Sequence, residues 1–169
     1  MKAEILRLLK ESSSYISGQQ LCDHFQVSRT AVWKVMEQLK KEGYTIEAVR
    51  NKGYRLLDSP DVLSKAEIES LVTTEWAGRQ VVYYDETDST NNQAKAAGEK
   101  GEVHGTLFVA DRQTAGKGRR GRGWESPSGN SVSMTILLRP EIPPVKAPML
   151  TLVMALAVAD GIRDALGVD

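Results

Sequence analysis

The segment that most constrains the fold is the fourteen-residue run from Asp111 to Trp124, DRQTAGKGRRGRGW. Four of its residues are glycine and five are lysine or arginine. Glycine lets the backbone turn tightly and approach a ligand closely, and Lys and Arg add charge complementary to carboxylate or phosphate. We therefore expect a loop that binds a small anion. We also expect it to be mobile when empty, because no large apolar side chain precedes Trp124.

Other interpretations of this loop differ in how well the flanking sequence fits them. Residues 116–121 match the G-x-G-x-x-G pattern, and the apolar run 106–110 before them predicts a strand. A dinucleotide-binding turn must then open a helix, whereas residues 124–130, WESPSGN, predict a turn. No Gly-Lys-Ser/Thr is present, which excludes a Walker-type phosphate loop. A solvated basic loop that only touches RNA or DNA remains an alternative.

The length and charge of the chain bound its organisation. Its 169 residues are enough for one domain, or for one small domain with part of a second. The formal net charge is zero, but residues 1–58 hold 10 basic and 7 acidic side chains, whereas residues 59–169 hold 12 and 15. Local charge is therefore more informative than the total.

The cysteine and hydropathy patterns predict a cytoplasmic protein without membrane contact. A single cysteine, Cys22, excludes an intramolecular disulfide framework and fits a reducing compartment. Neither histidine lies in ligand spacing with it, so no protein metal site is expected. No signal peptide opens the chain, and its longest apolar run, residues 152–159, is far too short to cross a bilayer.

The first part of the chain predicts a helix-turn-helix. Apolar spacing indicates helices over residues 2–11 and 18–25, and Ser28 is a suitable N-cap for a third helix that ends near Glu42. In the first helix Ile5, Leu8 and Leu9 are expected to face inward. The apolar stripe expected on the third helix consists of Val32, Val35, Met36 and Leu39. The third helix should present polar and aromatic residues at its N-terminal end, as a DNA-reading helix does: Arg29, Thr30, Trp33 and Lys34.

A basic hairpin follows these helices. Alternating residues over 44–57, around a turn that contains Gly53, predict two strands with Arg50 and Lys52 at the tip. Such a wing would contact phosphates while the helix reads base edges. A three-helix domain that mediates only protein contacts is the alternative. Against it, residues 26–55 carry a net charge of +4 on a small surface.

The remaining sequence predicts a mixture of helices and strands. Residues 59–63 are expected to form a linker, and Ser64 to cap a helix that ends near Val72. A further helix should begin after Asn91 and reach Ala97. Strands are expected at residues 80–84, 106–110 and 131–138, and a mostly buried helix at Met149–Leu166.

Ser89 and Thr90 lie where a strand gives way to a helix. Hydroxyls and free backbone N–H groups converge at such a junction, which can bind an anion or a polar ligand head. Spacing alone favours the simpler interpretation, in which Ser89 is a plain N-cap.

Taken together, these segments resemble a known family. The run Asp88-Ser-Thr-Asn91, Gln113, the run 116–121 with Trp124, and the preceding winged helix resemble bacterial biotin–protein ligases of the bifunctional type, which also repress biotin synthesis genes. The resemblance implies an α+β fold. Residues 1–58 would form a winged helix-turn-helix DNA-binding domain, and residues 64–169 part of a mixed α/β, class II synthetase-like ligase catalytic domain.

The resemblance also implies an activity. Members join biotin and ATP, with Mg²⁺ expected alongside ATP, into biotinyl-5′-adenylate, and transfer biotin to a lysine of a carboxylase carrier domain. The adenylate-bound form dimerises and binds operator DNA. The alternative is a non-catalytic DNA-binding regulator that senses biotin or its adenylate.

Individual site residues follow from the same resemblance. Ser89, Thr90 and Asn91 would line a biotin pocket, with Gln113 on the ureido ring. Lys117 stands where the family usually has an arginine, which keeps the charge but loses the bidentate geometry. Arg119 is the expected catalytic residue. The expected ligand-binding set is Ser89, Thr90, Asn91, Gln113, Gly116, Lys117, Gly118, Arg119, Arg120, Arg122 and Trp124, with Trp124 near the adenine. The expected DNA-binding set is Arg29, Thr30, Trp33, Lys34, Arg50 and Lys52.

One further expectation concerns the end of the sequence. The family has a Lys-Trp-Pro-Asn-Asp strand shortly beyond the last predicted helix, and this sequence stops at Asp169 before it. The resemblance therefore implies a C-terminally truncated ligase with impaired activity.

Overall fold

In the computed structural model, which describes residues 1–167 apart from the side chain of Arg119, the chain opens with three helices. Local capping explains where two of them begin. The Ser17 hydroxyl accepts a hydrogen bond from Gln20 N, and the Gln20 side chain accepts one from Ser17 N. The Ser28 hydroxyl accepts from Ala31 N at 3.2 Å. The helices are α1 (Lys2–Glu11), α2 (Gly18–Phe25) and α3 (Arg29–Lys41).

The apolar faces of these helices form one core. The stripe expected on α3 is buried throughout, while α1 differs from the sequence prediction in one position. Leu6 is fully buried, whereas Leu8 is only partly buried against the core. The inner face of α1 is thus rotated slightly from the predicted one.

The predicted wing is confirmed as an antiparallel hairpin of β1 (Thr45–Val49) and β2 (Gly53–Asp58). A two-way backbone bridge between Ile16 and Tyr54, with both N–O distances 2.9 Å, ties the hairpin to the segment before α2. The approach is close enough to require glycine at position 53, where a Cβ would lie 2.0 Å from the Ile16 carbonyl oxygen.

A fourth helix, α4 (Lys65–Leu71), follows a stretch without regular structure and is capped by Ser64, as predicted. It packs on α1, and its Ala66 is buried in the same apolar core. Glu67 accepts hydrogen bonds from the Lys10 ammonium and the Tyr44 hydroxyl. The domain boundary at residues 59–63 remains a prediction.

The rest of the unit formed by residues 1–138 is a mixed sheet with one helix. The first two strands pair in parallel across a helical crossover, and the last two pair antiparallel with the central strand. This agrees with the mixed α/β prediction. The elements are β3 (Val81–Thr87), α5 (Thr90–Glu99), β4 (Leu107–Lys117), β5 (Gly123–Ser126) and β6 (Ser133–Ile136).

Three strand predictions and one turn prediction need correction. β3 continues to Thr87, and β4 continues seven residues past Ala110. Residues 123–126 form β5 where only a turn was expected, and β6 is shorter than residues 131–138. In each case the length of the strand is set by how far a neighbouring strand pairs with it. The sequence of a single segment does not reveal that pairing.

The unit formed by residues 139–169 contains α6 (Met149–Leu166) after a proline-rich segment with a short 3₁₀ turn. The expectation that this helix is mostly buried is wrong for the described structure. None of its residues is buried, and Leu152 is 67% exposed. Its apolar composition favours burial, but within the described part of this unit no other element packs over it.

Candidate functional site

The candidate site lies where β3 ends, α5 begins and the outer half of β4 passes beside them. Parallel pairing places Thr87 opposite Gln113, so the residues after β3 meet the strand that leads into the glycine-rich run. The backbone N–H of Ala115 donates to the Asp88 carbonyl at 2.8 Å, which extends this contact beyond the sheet register.

Gln113 caps helix α5 from 23 residues away along the chain. Its Oε1 accepts from Thr90 N at 2.8 Å and from the Thr90 hydroxyl at 3.1 Å, and its Nε2 donates to the Ser126 hydroxyl at 3.3 Å. Ser89 occupies the N-cap position and is buried, yet its side chain makes no capping bond. Ser89 is thus the N-cap by position, as the simpler interpretation expected, but it forms no side-chain capping bond, and the N–H of Thr90 is bonded by Gln113.

Thr135, which the sequence prediction missed, completes this polar cluster from β6. Its hydroxyl oxygen lies 2.9 Å from the Thr90 hydroxyl and 2.9 Å from Asn91 Oδ1. The antiparallel register of β6 on β4 sets this position. Four of the residues expected in the biotin pocket, Ser89, Thr90, Asn91 and Gln113, thus lie together, and no local sequence signal marks Thr135 as their neighbour.

Asp88 is the second residue that the predicted site set omits. Its carboxylate accepts from Asn92 Nδ2 at 2.6 Å, from Gln93 Nε2 at 2.8 Å and from Ser89 N at 2.6 Å. These donors, led by Asn92, hold the pKa of Asp88 well below its usual range. An acidic residue just before a helix that carries two amides in its first turn is the signal that could have identified this cluster.

The glycine-rich run is a hairpin and not the open loop expected from its sequence. Gly116 pairs with Trp124 and Lys117 with Gly123, and Gly118 N donates to the Arg122 carbonyl at 2.8 Å. A 3₁₀ turn over Arg119–Gly121 closes the tip. The backbone groups that were expected to be free for a ligand are therefore partly used in pairing.

Two positions show why glycine occurs in this hairpin. A Cβ on Gly116 would lie 2.5 Å from the Trp124 carbonyl oxygen, so only glycine allows β4 and β5 to approach. Gly121 has a φ of 73°, in the left-handed region that glycine adopts without strain. It follows Arg120, which has a φ of 58° and adopts this region without being glycine.

The hairpin presents its cations at the surface. Arg120, Arg122 and Trp124 are exposed, Trp124 by 64%, and the Lys117 ammonium donates to Asn92 Oδ1 at 2.6 Å. The side chain of Arg119, the expected catalytic residue, lies outside the described residues. A partly buried floor of hydroxyls and amides beside a cationic hairpin can bind a polar, anionic ligand.

The expected DNA-binding residues lie on one end of the helix-turn-helix and on the wing. All six are exposed, and Trp33 is 54% exposed even though it is a large apolar residue. Arg29 donates to Gln19 Oε1 at 2.9 Å, which orients its guanidinium across α2 and α3. The set consists of Arg29, Thr30, Trp33, Lys34, Arg50 and Lys52.

A cleft of about 480 Å³ separates α3 from the wing, and Arg29, Arg50 and Lys52 are among its lining residues. At the base of the wing, Tyr15 donates to Glu47 and the Arg55 guanidinium stacks 4.9 Å from the Tyr15 ring. The Tyr15 hydrogen bond is the main cause that lowers the pKa of Glu47. The wing therefore meets the segment between α1 and α2 through a defined polar contact.

Residues 1–167, as described, contain no group of three or more His, Cys, Asp or Glu side chains that is placed to hold a metal ion. None of the described helices is both long and apolar enough to span a membrane.

Comparison with known proteins gives two family matches. Residues 2–55 match an HTH domain, and residues 83–168 match the biotin/lipoate A/B protein ligase family. The bifunctional ligase/repressor BirA of Bacillus subtilis is 46% identical over 169 residues, covering 99% of this chain and 52% of that protein. BirA of Escherichia coli is 32% identical over 162 residues, covering 95% and 48%. The chain thus spans about half the length of the curated relatives it matches.

A solved structure, a biotin protein ligase from Aquifex aeolicus in complex with biotin and ATP, is 34% identical with a TM-score of 0.45, and the match covers 52% of this chain and 35% of that one. The ligase-family match spans the whole candidate site, and the HTH match spans the helices and wing. The chain therefore belongs to the biotin/lipoate A/B protein ligase family and carries an amino-terminal HTH domain.

Proposed function

We propose that the chain binds biotin and ATP at the junction of β3, α5 and the β4–β5 hairpin and joins them into biotinyl-5′-adenylate. The observation that carries this proposal is the hydrogen-bonded cluster of the buried Thr90 and the half-buried Gln113, which lies beside a cationic glycine hairpin. The names of the relatives suggest which substrate and which acceptor protein are used, since two of these relatives are biotin–acetyl-CoA-carboxylase ligases. Transfer to a carrier-domain lysine, with Mg²⁺ accompanying ATP, completes the proposed reaction.

The charges of the reactants explain why such a hairpin is useful. Adenylation brings a carboxylate against a triphosphate, and these two anions repel each other. Fixed cations at the point of attack reduce that repulsion most where charge develops in the transition state. Arg119, Arg120 and Arg122 would supply this charge, with Arg119 closest to the chemistry. A hairpin that closes over the product would also keep water from the mixed anhydride.

The polar floor would recognise biotin by hydrogen bonding. A urea group presents a carbonyl acceptor and two N–H donors, and the hydroxyls and amides of Ser89, Thr90, Asn91 and Gln113 offer complementary partners. Trp124, exposed by 64%, has a free ring face on which adenine could stack.

Product analysis tests the adenylation proposal directly. The chain is incubated with biotin, ATP and Mg²⁺, and biotinyl-adenylate and pyrophosphate are measured by mass spectrometry and a coupled assay. Formation of both, with loss of both in Gln113→Ala, supports the proposal. Biotin binding without pyrophosphate would favour the alternative, a regulator that senses biotin without catalysis.

Trypsin provides a second test of the hairpin. Arg120 and Arg122 are exposed cleavage points in a turn. Addition of biotin and ATP should slow cleavage at both, because a closed hairpin is a poor protease substrate. An unchanged rate in a chain that forms adenylate would show that the hairpin does not close over the product.

We also propose that the helix-turn-helix binds operator DNA and that the adenylate-bound chain does so as a dimer. Arg29 and its neighbours on α3 would read base edges, while Arg50 and Lys52 would contact phosphates across the cleft. The names of the relatives support the repressor function, since the matched proteins are bifunctional ligase/repressors.

Two matched variants separate these roles. Arg29→Ala should weaken operator binding selectively, by about 1–3 kcal/mol, because a base contact is lost. Lys52→Ala should weaken binding to operator and random DNA alike and flatten the salt dependence by about one unit. Both variants are compared by fluorescence anisotropy at several salt concentrations. Equal losses on both DNAs for Arg29→Ala would defeat the assignment of α3 as the reading helix.

A further inference from the structure

Asn92 lies between the two opposite charges of the candidate site. Its Nδ2 donates to Asp88 Oδ2 at 2.6 Å, and its Oδ1 accepts from the Lys117 ammonium at 2.6 Å. Asn92 is in the first turn of α5, and Lys117 ends β4, so the contact joins elements 25 residues apart in sequence.

This pair of contacts fixes the orientation of the Asn92 amide. If the amide were flipped, its oxygen would face the Asp88 carboxylate and its NH₂ group would face the Lys117 ammonium, and both contacts would be repulsive. Asp88 is itself held by Ser89 N and Gln93 Nε2, so it cannot turn to relieve a flipped amide without losing those bonds. The network therefore has one favourable arrangement.

The backbone of Lys117 is held as well. Lys117 pairs with Gly123, and the next residue, Gly118, donates to the Arg122 carbonyl at 2.8 Å. With the main chain placed by the hairpin and the ammonium placed by Asn92, both ends of a long flexible side chain are restrained. An ammonium has three N–H donors. One is used on Asn92, and no contact among the described residues uses the other two, which a ligand could accept from.

We propose that Asn92 is a positioning residue, which holds the Lys117 ammonium ready for the carboxylate of biotin before the ligand binds. The inference rests on the proposed function for the identity of that anion. Immobilising a lysine costs side-chain entropy. If the folded chain has already restrained the lysine, binding does not have to meet that cost, and affinity for the anion rises.

Gln93 provides a matched control. It donates to the same carboxylate as Asn92, from the adjacent position in α5, and no described contact joins it to Lys117. Asn92→Leu removes both the Asp88 bond and the Lys117 bond, whereas Gln93→Met removes only an Asp88 bond. A difference between these variants therefore measures the loss of the Asn92–Lys117 bond and not the loss of one hydrogen bond to Asp88.

The first measurement needs no biotin. The ligand-free chain and both variants are treated briefly with an acetylating reagent, and acetylation of Lys117 is quantified by mass spectrometry. Asn92→Leu should raise the reactivity of Lys117 several-fold, because its ammonium is released, while Gln93→Met should leave it near that of the unmodified chain. No change in Asn92→Leu, or an equal rise in both variants, would overturn the proposal.

The second measurement tests the consequence for the ligand. Affinities for biotin and for its neutral amide are measured by calorimetry. Asn92→Leu should weaken the affinity for biotin by about tenfold while changing the affinity for the amide little. This difference should vanish in a Lys117→Met background. An equal effect on both ligands would overturn the positioning role. Failure of the unmodified chain to bind biotin would instead defeat the proposed function, and the acetylation result would still decide whether Asn92 holds Lys117.

Discussion

At the scale of single residues, the candidate site is organised by side chains that each accept several hydrogen bonds. Gln113 on β4 accepts a hydrogen bond from the first N–H of α5, and the Asp88 carboxylate accepts hydrogen bonds from three neutral donors. Such fully bonded polar groups hold their rotamers because any other rotamer leaves a partner unsatisfied. The site is therefore rigid at its base, where recognition is needed, and exposed at the hairpin.

The lowered pKa of Asp88 predicts a specific dependence of stability on acidity. A carboxylate whose pKa falls on folding stabilises the fold above its ordinary pKa of 3.8, and that stabilisation is lost as pH falls below it. Asp88→Asn should therefore show a smaller loss of unfolding free energy between pH 6 and pH 3 than the unmodified chain. Urea unfolding at the two pH values measures this. An identical loss in both chains would contradict the prediction, and Asp58→Asn controls for removal of one negative charge.

Gly53 is the residue of the wing at which we expect substitution to reduce stability most. Gly53→Ala would place a methyl group 2.0 Å from the Ile16 carbonyl oxygen, at a φ of +117°. It should cost at least about 2 kcal/mol of stability, because the Ile16–Tyr54 bridge must separate. Gly18→Ala is the control, since its Cβ would meet only Tyr54 at 3.7 Å within a helix. Chemical denaturation compares the two, and equal stabilities would contradict the prediction.

At the scale of elements, the contact between α1 and α4 joins the winged helix to the segment that precedes the sheet. Ala66 enters the apolar core, and Glu67 accepts hydrogen bonds from both Lys10 and Tyr44. Burial and this hydrogen bond raise the pKa of the Tyr44 hydroxyl well above its usual range. The hydroxyl therefore remains a donor to Glu67 over the whole physiological range of pH.

Two glutamates on α4 allow this contact to be tested. Glu67→Ala leaves a buried hydroxyl and a largely buried ammonium without their acceptor, and should destabilise the chain by about 1–3 kcal/mol. Glu69→Ala removes a more exposed pair with Lys65 and should change stability by less than about 0.5 kcal/mol. Thermal unfolding measures both, and similar effects would show that the α1–α4 contact does not depend on Glu67.

The elements also show which features a sequence can predict. Ser28 and Ser64 were identified as caps because a cap and its target N–H lie within three residues. The stripe on α3 was identified for the same reason, since helical periodicity is local. The hairpin pairing of Gly116 with Trp124 and the contact of Thr135 with Thr90 were not identified, because both depend on strand register. The resemblance to ligases predicted which residues cluster, but not how they bond.

At the scale of the whole molecule, exposed apolar surface is concentrated on α6. Its residues include Leu152, Leu156 and Leu166, each about two-thirds exposed. An apolar helix face of this kind promotes association with any matching surface. The 169-residue chain should therefore have a strong tendency to associate with itself.

Charge placed on that helix should reduce self-association. In the double variant Leu152→Glu and Leu156→Glu, each new carboxylate must be desolvated on contact, which opposes association. Sedimentation velocity over a range of concentrations should show a shift toward the monomer. Val145→Glu, at an 85% exposed position before the helix, controls for the added charge. Equal sedimentation of the double variant and the unmodified chain would show that α6 does not mediate association.

The continuity of β4 has a consequence for how this sequence can vary. β4 keeps a regular register with β3 as far as Gln113, and it carries Phe108 and Ala110 in the buried sheet and Gln113 in the candidate site. Because side chains alternate along a strand, one inserted residue turns every later side chain to the opposite face. Substitution of the exposed Arg112 leaves the buried side chains and the site side chains of β4 on their faces. An insertion before Gln113 does not. Among homologues, this segment should therefore differ in residue identity and keep a constant length.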